Sequence, residues 1–250
     1  MNKLLSAGIK RIFKIKTLYL CLGVIIVLDA FDIIKEYLTA ENKAALPAPD
    51  GYLLSGLLMI VLLAAVFISS YLGSEHAFGT LRNKLSVGYS RQEIYMSSFM
   101  ACYLAVLIMY ATVWLVTFSL GTLLLGGFHL TAKELLIKLV SSFLAITVLT
   151  ALYVMIALCV QSKSLGTAAS IITAFVMMMA GVGITMMLSQ PEQISEAKRR
   201  DFRLAEDLCP VSQILKDDDE LPAKNVLIPV GEIIITAAAG AVVFKKRDLK

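Results

Sequence analysis

Charged side chains occupy only 17% of this 250-residue chain, so each place where they gather is a candidate for chemistry. Carboxylates interrupt two otherwise apolar runs. Asp29 and Asp32 stand one turn apart with Glu36 following on the same helical face, and Glu232 lies inside the last run. Ionisable groups at membrane depth are costly and are functional candidates by default. Residues at i and i+3 project from neighbouring angles of a helix. Asp29 and Asp32 could therefore line one cavity, and Glu232 the same outer vestibule, giving an anionic surface that favours cationic cargo. The alternative is that the first helix continues into water and Glu232 snorkels. A second gathering is "EHAFGTLRNKLSVGYSR", residues 75–91, where Glu75, Arg82, Lys84 and Arg91 share a short polar insert with Gly79, Thr80, Gly88 and Ser90.

Other chemistries find little support. The two histidines, His76 and His129, flank different apolar runs and offer no shared metal or dyad. Gly73-Ser74 is the nearest approach to a serine-hydrolase motif, but the glycine expected after it is missing. Cys21, Cys102, Cys159 and Cys209 show no paired or metal-type spacing, and three of them lie in apolar runs, where a thiol behaves as a small hydrophobe. No G-x-x-x-x-G-K-[ST] phosphate loop is present, since "GSEHAFGT" lacks both the spacing and the lysine.

The elements that hold these residues follow from hydropathy. With 58% hydrophobic residues and a mean hydropathy of +0.78, the chain reads as a polytopic membrane protein rather than a soluble domain. A helix needs about 20 mostly apolar residues to cross the hydrocarbon core. Six segments qualify, at about 17–37, 52–73, 94–124, 139–160, 165–188 and 226–244. Continuous rather than alternating apolarity excludes barrel strands. The first run is read as an uncleaved span, because "LDAFDIIKEYL" follows where a signal cleavage site would stand. The expected fold is all-α, one transmembrane domain over 1–250, with six spans, an interfacial helix at 1–16, a loop at 74–93 and an outer loop at 189–225.

Basic residues divide unevenly between the loops. The first 16 residues carry Lys3, Lys10, Arg11, Lys14 and Lys16 with no acid; residues 75–91 and the tail "KKRDLK" are basic, and Lys163 sits in a short link. The links around 32–50 and 189–225 are net acidic, the latter including "DDDE" at 217–220. The positive-inside rule places both termini, the 74–93 loop and the Lys163 link in the cytoplasm of a cell-membrane protein. Mildly basic 125–138 falls outside, against the trend. Leu5, Ile9, Ile12 and Phe13 share one face of the first segment, with the lysines and Arg11 opposite, as in a helix lying on anionic lipid. Cys209 is the one thiol expected in an outer loop, reachable by an impermeant maleimide unless it is packed away. In the outer loop Ser195 is a plausible N-cap and Pro210 a break.

Within 75–91, Gly79 separates two short helical pieces, and Gly88 turns the chain before Ser90, which caps the next helix with Glu93 at its third position. This hairpin lacks the aromatics and charge of a nucleic-acid site. It suits either a docking knob for a cytosolic partner or a solvated loop that only sets topology. The stretch "FISSYLGSEHAFGTLRNKLSVGYSRQEIYMSSFM" resembles the signature region of ABC type-2 permeases: an acidic residue before Gly-Thr, then basic residues, then Gly and Ser-Arg entering the third helix. Glu75, Gly79, Thr80, Arg82, Gly88, Ser90 and Arg91 occupy those positions, and "FKKRDLK" is similar to the family's ending. The resemblance implies that this loop, with Lys84, couples to a separate ATPase. Two ATPase copies would carry ATP and Mg, no cofactor would bind this chain, and a second permease chain, identical or a paralogue, would complete the path.

The implied function is not enzymatic: export of a peptide, antibiotic or other amphipathic substrate by alternating access. The rival reading is a membrane sensor or immunity protein working without an ATPase. The Met-rich "VMMMAGVGITMML" is either an adaptable substrate surface or helix and lipid packing. Glu75→Ala is expected to spare insertion, because Glu75 lies outside the spans.

Overall fold

Long apolar runs leave the backbone no partner but itself, so each forms a helix whose hydrogen bonds close within the segment. In the computed structural model, which describes residues 2–40, 47–160, 162–190, 195–216 and 223–246, no strand occurs among the described residues. The acidic run at 217–220 and the tail at 247–250 lie outside them. Six helices are long and apolar enough to cross a membrane, and the chain is an all-α multi-pass protein. They are α2 (Lys16–Thr39), α3 (Asp50–Ala77), α5 (Arg91–Val116), α7 (Ala132–Cys159), α8 (Lys163–Ser189) and α11 (Ala223–Lys246). The shorter helices are α1 (Asn2–Ile12), α4 (Thr80–Ser86), α6 (Thr122–Leu124), α9 (Glu196–Leu208) and α10 (Pro210–Leu215). A π-helical segment, Thr117–Gly121, joins α5 to α6; it makes the third run one 34-residue element.

Helices outrun the apolar windows because their ends are capped by polar chemistry that hydropathy does not register. α7 starts seven residues before the expected span, at a capping box in which Thr131 Oγ1 accepts from Glu134 N and Glu134 Oε2 accepts from Thr131 N. The same device opens α5 at Ser90 and Glu93, as expected from the sequence.

α3, α5 and α7 form the centre, with half or more of their apolar windows buried, while α8 and α11 bury only 11% each and α2 28%. Such outward apolar faces are compatible with a bilayer, where lipid tails are as apolar as leucine. Chain direction alternates consistently. Gly73, near the end of α3, packs on Lys163 at the start of α8, and Arg91 at the start of α5 donates to the Phe244 and Lys245 carbonyls at the end of α11. The start of α3 lies at the other end, where Asp50 Oδ2 accepts from His129 N at 3.1 Å.

Two elements depart from the expected picture. α1 packs against α5, its Gly8 so close that a Cβ would stand 3.3 Å from Ala101 Cβ. It buries Leu4 and Ile12, while Phe13 is exposed. Its inner face is therefore set by protein packing, and Arg11 belongs to that face, not to the exposed lysines. In the 189–225 region, Ser195 stands at the N-cap of α9 without a side-chain cap bond. Pro210 begins a new helix, α10, which sinks Val211, Ser212 and Ile214 into the bundle. A Cβ on Gly181 would lie 2.7 Å from Val211 Cβ.

Cys209 is buried, its Sγ 3.9 Å from the Met177 carbonyl, so it is not the reactive outer thiol expected. Gly181→Val should push α10 off α8 and convert Cys209 from unreactive to maleimide-reactive, read by mass shift. Equal labelling in both proteins would mean that the Gly181–Val211 contact does not hold α10 in place.

Candidate functional site

Glu75 organises the polar end of α3. The helix continues one turn past the apolar run, so its carboxylate points back into the protein and is only 1% exposed. A buried charge must be paired and hydrogen-bonded. Arg11 Nη1 donates to Oε1 at 3.0 Å, and Lys84 Nζ reaches both oxygens at 2.9 Å. Arg11 also donates through Nη2 to Ser74 Oγ at 3.1 Å and lies over the Tyr71 ring, 5.5 Å from its centroid. One carboxylate thus ties together α1, α3 and α4.

The turn that brings Lys84 back is built by glycine. Gly79 has φ +63° and Gly88 φ +96°, the left-handed region that L side chains enter only with strain. Thr80 Oγ1 donates to the Glu75 carbonyl at 2.9 Å, closing the angle between α3 and α4. Arg91, at the far side of the hairpin, holds carbonyls at the α11 terminus, groups that would otherwise lack intrahelical donors.

The residues expected to couple therefore divide by role. Glu75, Thr80 and Lys84 bond within the hairpin and its helix, Gly79 and Gly88 shape it, Ser90 caps, and Arg91 ties α5 to α11. Glu75 is buried between Arg11 and Lys84 rather than presented on the outer side of the hairpin, so Glu75→Ala, expected to spare insertion, removes a contact that joins three helices. Of the basic set, Arg82 remains exposed. Phe78 and Val87, at the two ends of α4, are each 75% exposed. These apolar knobs escaped a reading that attended to charge. Arg11 was also missed; the signal was one arginine among four lysines, a planar donor fork suited to a carboxylate.

The acids within the apolar helices differ in burial and in neighbours. Asp29 is 3% exposed, and its oxygens would lie 3.0 and 3.1 Å from a Cβ on Gly56. Asp32 is exposed, and Glu36 lies near the Tyr52 hydroxyl. Glu232 is half-buried on α11, which packs chiefly on α7, whereas α2 packs on α3 and α5. Asp29 and Glu232 belong to different helix seams. His76 lies in the last turn of α3, while His129 meets its first residue; about 40 Å separates these ends at the helical rise. Among the described residues no three His, Cys, Asp or Glu side chains cluster as metal ligands. The Met-rich part of α8 is divided, with Met177 and Met178 against the core and Met179, Met186 and Met187 exposed.

Compared with known proteins, the sequence matches no family model and no curated protein.

Proposed function

We propose that this chain is the permease subunit of an ATP-driven exporter and that the α4 hairpin is where a separate ATPase docks. The observation that carries this reading is the hairpin's construction. Its inner side is bonded to α1 and α3 through Glu75, while its outer side presents Phe78, Arg82 and Val87. A loop that only sets topology needs basic residues; it needs neither a buried three-way ion cluster nor two exposed apolar side chains. Because Lys84 and Arg11 hold the same carboxylate, displacement of α4 moves α1 and the end of α3 with it. Two such chains, each with an ATPase, would convert nucleotide-driven closure into outward opening of a path for an amphipathic substrate.

The test is co-purification. ATPase subunits expressed from the same source should be retained by tagged wild-type chain and lost from Phe78→Asp/Val87→Asp. Two anchors worth more than about 1 kcal/mol each amount to at least roughly tenfold weaker binding. Equal retention would remove the hairpin from the interface. No ATPase with wild type would favour the sensor or immunity reading.

A further inference from the structure

Asp29 sits where three apolar helices meet. Gly56 of α3 supplies the room for its carboxyl group, and Val113 of α5 closes the same space, its Cγ1 lying 2.7 Å from where a Gly56 Cβ would be. Oδ2 is buried without a hydrogen-bond partner among the described residues. No cation faces it. On α2 the neighbouring charges are Asp32 and Lys35, both exposed, and Glu36, half-buried near Tyr52 of α3. At the start of α3, Asp50 accepts from His129 N. On the adjoining part of α5, Tyr110 is committed to the Leu139 carbonyl and Ser142 of α7. The π segment and α6, which also pack on α2, carry no titratable side chain. Thr117 of that segment, one turn beyond Val113, has a buried hydroxyl likewise without a partner.

A carboxylate in an apolar seam, with one oxygen buried and given neither counter-ion nor donor among the described residues, is stabilised by taking up a proton. We propose that Asp29 is a proton-binding site: in this packing it is a neutral carboxylic acid, and it releases its proton when α2 parts from α3 and α5. The O–H bond breaks, its electron pair stays on the carboxylate and the proton passes to water entering the seam. Opening of this seam would then be favoured by high pH and opposed by low pH. The inference rests on Asp29's surroundings and holds whether or not an ATPase docks on the hairpin.

Infrared spectroscopy of the purified, reconstituted full chain tests it. At neutral pH the wild type should show the carbonyl stretch of a protonated acid in a nonpolar site. A component of that band should be lost in Asp29→Asn and kept in Glu232→Gln, Glu232 being the other acid in an apolar helix with a buried oxygen that lacks a partner among the described residues. Because the closed chain holds one more proton than the opened one, wild-type Tm should fall relative to Asp29→Asn as pH rises. Spectra of wild type and Asp29→Asn that match in this region, or Tm curves that run parallel with pH, would overturn the proposal. So would failure of Asp29→Asn to assemble, since the amide keeps the shape and neutrality of the protonated acid.

Discussion

Glu75→Ala is expected to release α1 and α4 together from the end of α3. The substitution leaves Arg11 and Lys84 facing each other's charge without the carboxylate that joined them. Removing one partner of a buried pair costs about 3–5 kcal/mol. Here the Arg11 and Lys84 side chains are 30% and 23% exposed, so water recovers part of that, and a loss nearer the about 1.5–3 kcal/mol of a charge-assisted hydrogen bond is expected. Thermal unfolding in detergent should show the drop, and trypsin should cut after Lys10 and Arg11 faster than in wild type.

Arg11→Lys separates charge from geometry. Lysine keeps the cation and loses both the second donor to Ser74 and the stacking on Tyr71, so a smaller effect is expected. Glu75→Ala and Arg11→Ala combined should cost less than their sum, as residues of one network do. Strict additivity, or unchanged protease sensitivity in Glu75→Ala, would show that the ion cluster does not hold α1.

Gly56→Val carries the second large effect, through steric contact rather than charge. Its Cβ would meet Val113 Cγ1 at 2.7 Å and both Asp29 oxygens near 3 Å, distances that force α2, α3 and α5 apart. Overpacking of this kind costs about 1–3 kcal/mol. The neighbour to relieve it is identifiable: Val113→Ala added to Gly56→Val should recover part of the lost Tm, whereas Val113→Ala alone should lower Tm by leaving a cavity. Absence of any rescue would mean that the junction is not packed as described.

Much of this architecture is legible in the sequence alone. Six apolar runs of spanning length demand six helices, because in hydrocarbon the backbone can satisfy itself only within a helix or a closed barrel. Gly79, Gly88 and the Ser90/Glu93 box announced the hairpin, since each depends on neighbours within a few residues. The Thr131/Glu134 box is equally readable from "TAKE", but hydropathy registers the span and not the polar turn that starts it.

Partners distant in the chain were not legible. Arg11 and Glu75 lie 64 positions apart, and helical periodicity alone placed Arg11 with the lysines. Only the packing of α1 on α5 turns it inward. The same holds for Asp29 and Asp32: spacing put them on adjoining angles of one helix, but which angle faces protein depends on where α3 and α5 lie. The break at Pro210 is legible, but the burial of α10 is not, because six residues are too few to show a period; that burial depends on the space that Gly181 leaves. Local hydrogen-bonding rules and hydropathy thus specify the helices, their ends and their order. The side on which each charged residue finds its partner is decided by contacts between helices, whose geometry no short window of sequence contains.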